Sequence, residues 1–157
     1  MISKTAFMGV TQKVGSLGEE LAVRFLVKRG YKILDRNFRR PWGELDIIAA
    51  QKEKIHFVEV KSVSARKGDV SDETISRETS PREKALSYIR LNQPKDRYRP
   101  EDNVHANKIK RLSRIIQTYL SGKHVSSETT WQFDVVTVYV DDQSKKAKIN
   151  FIEDVII

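Results

Sequence analysis

Residues 43–61, GELDIIAAQKEKIHFVEVK, set two short apolar runs on either side of a polar turn. Leu45-Asp46-Ile47-Ile48 and Ile55-His56-Phe57-Val58-Glu59-Val60-Lys61 are rich in β-branched residues and bounded by polar clusters, the pattern of neighbouring strands joined by a tight hairpin. Strand side chains alternate between faces, so Glu59 and Lys61 share a face with Ile55 and Phe57. Asp46 interrupts the first run. Unpaired charge inside a sheet is expensive, so two acids and a lysine in buried-looking strands require partners. Either they close the end of the sheet as an ion-paired cluster, or the carboxylates hold a divalent metal with the lysine beside it.

The second possibility has a definite chemistry. Phosphodiester hydrolysis requires stabilised charge on the phosphorus oxygens and an activated water. Mg²⁺ or Mn²⁺, one or two ions, suits a site of carboxylates, waters and substrate phosphate. Asp46 and Glu59 supply the carboxylates, the Val60 carbonyl a third oxygen, and Lys61 a cation to orient water or steady the phosphate. No histidine or cysteine is needed; the chain has no cysteine. His56, His105 and His124 read as structural or solvated, and Asp134 as a satisfied structural acid.

Around this pair the apolar spacing predicts the order αβββ, insert, αββ, an α/β fold with helices flanking a mixed sheet. Residues 1–13 read as a flexible leader before a single domain over 14–157. The first helix spans 14–29, with Val14, Leu17, Gly18, Leu21, Ala22 and Phe25 on its stripe, Ser16 as N-cap and Gly30 as stop. Tyr31–Leu34 is a short strand and Asn37–Pro41 a turn. Strands follow at 44–50 and 54–62. From 62 to about 104 the apolar pattern fails, apart from a short helix at 82–91. A long segment of that kind is usually functional or disordered. Residues 107–121 form a second helix on Ile109, Leu112, Ile116, Tyr119 and Leu120. Phe133–Val140 is a central strand, and 147–156 an edge strand.

The net charge of +8 is unevenly spread. Residues 77–114 hold eleven Lys/Arg against five Asp/Glu, whereas 115–157 hold four against six. A concentrated basic segment suits a phosphate backbone; its alternative is a solvated basic loop. Arg97, Arg99 and Arg111 lie in it. Lys108 falls about 55–60° from the centre of its helix's apolar stripe, closer than Lys110, Arg111 or Arg114, and so leans toward the sheet as a site residue or a snorkelling lysine. Arg39, Arg40 and Trp42 precede the Asp46 strand, placed to grip backbone and stack a base, or to pack a turn. No apolar run reaches the roughly 20 residues of a membrane span. The N-terminus lacks an apolar signal core. A cytoplasmic location and no membrane partner are expected.

Asp46 followed by Glu59-Val60-Lys61 resembles the PD-(D/E)XK nuclease core of the restriction-endonuclease-like fold, with Leu45 where a literal motif has proline. The fuller resemblance, over about residues 14–155, is to the YraN-like family of bacterial proteins, relatives of archaeal Holliday-junction resolvases. It rests on Gly18-Glu19-x-x-Ala22, Gly30-Tyr31, Asn37-Phe38-Arg39, Gly43-Glu44-Leu45-Asp46-Ile47-Ile48, Phe57-Val58-Glu59-Val60-Lys61, Lys108-x-x-x-Leu112 and Phe133-Asp134-Val135-Val136. The resemblance implies metal-binding acids at Asp46 and Glu59, a catalytic lysine at Lys61, and a further acid near the metal at Glu19. Helix geometry alone does not separate Glu19 from Glu20. The expected function is Mg-dependent endonucleolytic hydrolysis of structured or branched nucleic acid, DNA before RNA, with a homodimer allowed. The alternative is a non-catalytic nucleic-acid-binding module on the same fold.

Overall fold

The computed structural model describes residues 4–64, 101–141, 146–155 and 157. In chain order these form α1 (Lys4–Lys28), β1 (Lys32–Arg40), β2 (Gly43–Gln51), β3 (Lys54–Ser64), α2 (Glu101–Gly122), β4 (Thr130–Asp141) and β5 (Lys146–Ile152). The strands make one sheet in the order β1-β2-β3-β4-β5. Every neighbouring pair is antiparallel except β3 and β4, which run parallel from Lys54↔Thr130 to Ser64↔Val140. Parallel neighbours need a long crossover, and α2 lies within it.

The helices cover opposite faces. Ala22 and Leu26 of α1 pack with Ile47, Ala49, Val58, Val136 and Val138. Ile115, Ile116 and Tyr119 of α2 pack with Ile48, Ile55, Phe57, Phe133 and Val135. A sheet covered on both faces accounts for the uninterrupted burial of Gln132–Val138 in β4. The mixed five-stranded sheet between two helices, in αβββ–αββ order, is the expected α/β arrangement and fits a restriction-endonuclease-like fold.

The sequence expectations need correction at several boundaries. There is no loose leader over 4–13: α1 begins at Lys4. The segment KTAFMGVTQK has no proline and several good helix formers, so helix propagates through it without a clear apolar stripe. Ser16 is consequently inside the helix and not its N-cap. The buried line runs through Gly18, Ala22 and Leu26, while Leu17 is 46% exposed. In α2 Ile115 is buried beside the expected Ile116 and Tyr119, while Ile109 is 40% exposed.

Strand β1 continues to Arg40 through the expected turn at Asn37, which stays in the strand with φ 52°. Asparagine tolerates that left-handed conformation better than most residues. The C-terminal end of α1 behaves as expected. Gly30 has φ 86°, and the Gly30 and Tyr31 amides donate to the Val27 and Leu26 carbonyls. Residues 62–64 belong to β3 and 101–104 to α2, so the expected insert narrows at both ends. The short helix expected at 82–91 lies outside the described residues. Among the described residues no helix is long and apolar enough to cross a membrane.

Candidate active site

Pairing between β2 and β3 stops at Ile47↔Val58, and the strands part beyond it. The Asp46 side chain takes up the backbone valence this leaves: the Val60 amide donates to Asp46 Oδ2 at 2.7 Å. A strand residue presents its N–H and C=O to the same side. The Val60 carbonyl therefore shares the edge that faces Asp46, as a third oxygen ligand would require. The opening widens into a cleft of about 1300 Å³, walled by Gly15 and Glu19 from the middle of α1 and by Lys108, Arg111, Leu112 and Ile115 from the middle of α2.

Asp46, Glu59, Val60 and Lys61 all line this cleft. Lys61 Nζ lies 2.5 Å from Glu59 Oε1, confirming that the two side chains share a face. Lys108 reaches across from α2 to the same oxygen at 3.0 Å, so it does lean toward the sheet. The two acids have contrasting electrostatics. Burial pushes the Asp46 carboxyl up from 3.8 to about 6; the Val60 hydrogen bond opposes this, and Glu59, Glu19 and Glu44 add to it. Burial also works to raise Glu59, but Lys61 and Lys108 outweigh it and hold that carboxyl below its ordinary range.

Glu19 also lines the cleft and accepts a hydrogen bond from Asn37 Nδ2 at 3.2 Å. Glu20 instead pairs with Arg24 and Arg36. The choice that helix geometry left open is thus resolved in position. Gly18 lets α1 approach β3 here: a Cβ on it would lie 1.8 Å from Ser62 Oγ. Asn37, the partner of Glu19, was not singled out as a site residue, because its type and sequence context signal a turn.

Arg39, Arg40 and Arg111 line the cleft mouth. Arg39 pairs with Glu44 at 2.8 Å, and Arg40 lies 4.2 Å over the Phe38 ring. Trp42 packs against the α2-side core with the Arg114 guanidinium 4.3 Å over its ring, so one of its faces is already taken. Arg97 and Arg99 lie outside the described residues. His56 and Asp134 are buried and joined at 2.7 Å, structural as expected.

Among the described residues, no three His, Cys, Asp or Glu side chains converge into a ready-made metal cage. The donors fit a looser arrangement, in which a hard divalent cation takes two carboxylates and fills its shell with water and substrate oxygens. The carboxyl groups of Glu59, Glu19 and Glu44 raise the Asp46 carboxyl against a single backbone amide, and a divalent cation at the opening would relieve that repulsion.

The mixed five-stranded sheet between two helices makes this an α/β protein consistent with the restriction-endonuclease-like class. Its sequence settles the family within that class. The profile of "Uncharacterised protein family UPF0102" matches residues 18–138, and the chain belongs to that family, the YraN family. It is 30% identical to a UPF0102 protein of Caldicellulosiruptor bescii over 143 residues, 91% of this chain and 96% of the relative. It is 34% identical to one from Syntrophomonas wolfei over 145 residues, again 91% and 96%. Identity rises to 57% with a Fervidobacterium nodosum relative over 51 residues, 32% of this chain and 38% of that protein.

Proposed function

We propose that this protein is a Mg²⁺- or Mn²⁺-dependent endonuclease that hydrolyses phosphodiester bonds in structured or branched DNA. The observation that carries the reading is the gathering of Asp46, Glu59 and Lys61 at the opening of β2 from β3, inside a cleft whose mouth holds Arg39, Arg40 and Arg111. In this reading Asp46, Glu59 and the Val60 carbonyl hold the metal, which when bound supplies charge neutralisation at phosphorus and an acidified water. Arginines at the mouth bind flanking phosphates and set the strand's register. Lys61, fixed by Glu59, donates to a non-bridging phosphate oxygen or to the attacking water. Glu19 closes the α1 side of the cleft and orders water near Asp46.

The rival is a nucleic-acid-binding module without turnover, and it draws support from the commitment of Glu59 Oε1 to two lysines. A cleavage screen in Mg²⁺ and in Mn²⁺ separates the two. It takes single-stranded, duplex, flap and four-way-junction DNA together with RNA. The endonuclease reading expects metal-dependent products, greatest on a branched DNA. Salt-sensitive binding with no product in either metal supports the rival.

A further inference from the structure

Glu59 Oε1 carries two ammonium groups from different elements. Lys61 is two residues along the same strand, at 2.5 Å, and Lys108 comes from α2, at 3.0 Å. A carboxylate oxygen has about two lone-pair sites, so two donors fill this one, and a cation that takes it must displace one of them. The two lysines are not equivalent. Lys61 is tied to Glu59 by the strand they share. Lys108 is anchored on the far wall of the cleft and its side chain is 41% exposed, against 17% for Glu59. It can leave Glu59 without disturbing β3.

We infer that Lys108 is a placeholder cation on Glu59, surrendering that carboxylate to an incoming divalent metal and turning to a substrate phosphate. The inference rests on the metal-centred reading above and adds a coupling to it. A phosphate that draws Lys108 away frees Glu59, so nucleic acid and metal each raise the other's affinity by the same factor. Without nucleic acid, Lys108 competes with the metal and keeps the centre weakly loaded. Lys108 is thus a positioning residue acting through Glu59 as well as a phosphate contact.

The test is a Mn²⁺ titration followed by calorimetry and by the spin-resonance signal of the free ion. It is run on the full chain with and without a phosphorothioate DNA duplex, which resists hydrolysis. Thermal melts confirm that each variant is folded. Lys108→Met should bind Mn²⁺ about tenfold more tightly than wild type without DNA, and Lys108→Arg about as weakly as wild type. The duplex should raise wild-type Mn²⁺ affinity about fivefold or more, within the usual range of such couplings, and raise that of Lys108→Met several-fold less. A Lys108→Met variant that binds Mn²⁺ no better than wild type, with the duplex effect unchanged, overturns the placeholder role and leaves the metal centre standing. Absence of Mn²⁺ binding in wild type and variants alike overturns both.

Discussion

Two aspartates sit in apolar strands of the same sheet, and their surroundings are opposite. Asp134 in β4 is fully buried and fully answered. Its Oδ2 meets His56 Nδ1 at 2.7 Å, and its Oδ1 accepts from Gln132 Nε2 at 2.7 Å and the Asp154 amide at 2.8 Å. Asp46 in β2 accepts from one backbone amide, and the carboxyl groups of Glu59, Glu19 and Glu44 push it toward protonation. A satisfied buried acid stabilises a fold, whereas one held among like charges is costly to ionise and marks a place adapted to something other than stability. The first residue ties the C-terminal segment after β5 to β4; the second waits at the open end of β2 and β3.

The contrast can be broken most forcefully at Asp134. Asp134→Ala strands His56 and Gln132 in the interior and releases the Asp154 amide. Losing one partner of such a buried set costs about 3–5 kcal/mol, a fall in melting temperature of about 10 °C or more. Scanning calorimetry that finds Asp134→Ala as stable as wild type would remove the structural half of the comparison.

Asp46→Asn should act in the opposite direction. The folded-state pKa of Asp46 is raised, from 3.8 to about 6. The stability it contributes is therefore complete below pH 3.8 and is lost as pH rises through about 6. The asparagine variant escapes that loss. It should gain on wild type between pH 4 and pH 7, on the order of 3 kcal/mol, and hold the difference at higher pH. Mn²⁺ should stabilise wild type above pH 6 and leave the variant unchanged. Melting curves across pH check both halves; a variant that weakens relative to wild type with rising pH would show that Asp46 is as well satisfied as Asp134.

A smaller effect links the acids through α1. Glu19 reaches the cleft because Gly18 permits close contact with Ser62, whose Cβ would lie 2.9 Å from an added Cβ. Gly18→Ala should cost on the order of 1 kcal/mol, steric strain partly offset by alanine's better helix propensity, and should weaken Mn²⁺ binding. Ser62→Gly in the same chain should restore most of both. Chemical denaturation and metal titration of the pair measure the recovery.

The parts of this molecule that were legible in the sequence are those set by short-range periodicity. The β2–β3 hairpin follows from alternation around a polar turn, and the facing of Glu59 and Lys61 from strand parity. Gly30 ends α1 because its positive φ is read directly from residue type. What escaped depended on tertiary contact. Leu26 and Ile115 lie at helix positions whose burial is decided by the tilt of each helix on the sheet, and this favours them over Leu17 and Ile109. Asn37 keeps a turn residue's left-handed φ, yet pairing with β2 resumes at Phe38↔Leu45, so the strand runs on past it. The parting of β2 from β3 left no local signal, yet it puts the Asp46 carboxylate on the Val60 amide. Family resemblance singled out Glu19; only the fold shows that Glu20 faces arginines instead.

The central claim is that the under-satisfied acid at the strand opening is a catalytic metal ligand. It is tested most directly by cleavage of a four-way-junction DNA in Mg²⁺, comparing wild type with Asp46→Asn and Lys61→Met under conditions where all three are folded and bind the junction. The account predicts Mg²⁺-dependent products from wild type. It predicts a loss of at least about 100-fold in rate for both variants with far smaller changes in junction affinity, since contacts made in the transition state appear mainly in turnover. Equal cleavage by Asp46→Asn and wild type, or junction binding by wild type without any product, would contradict it.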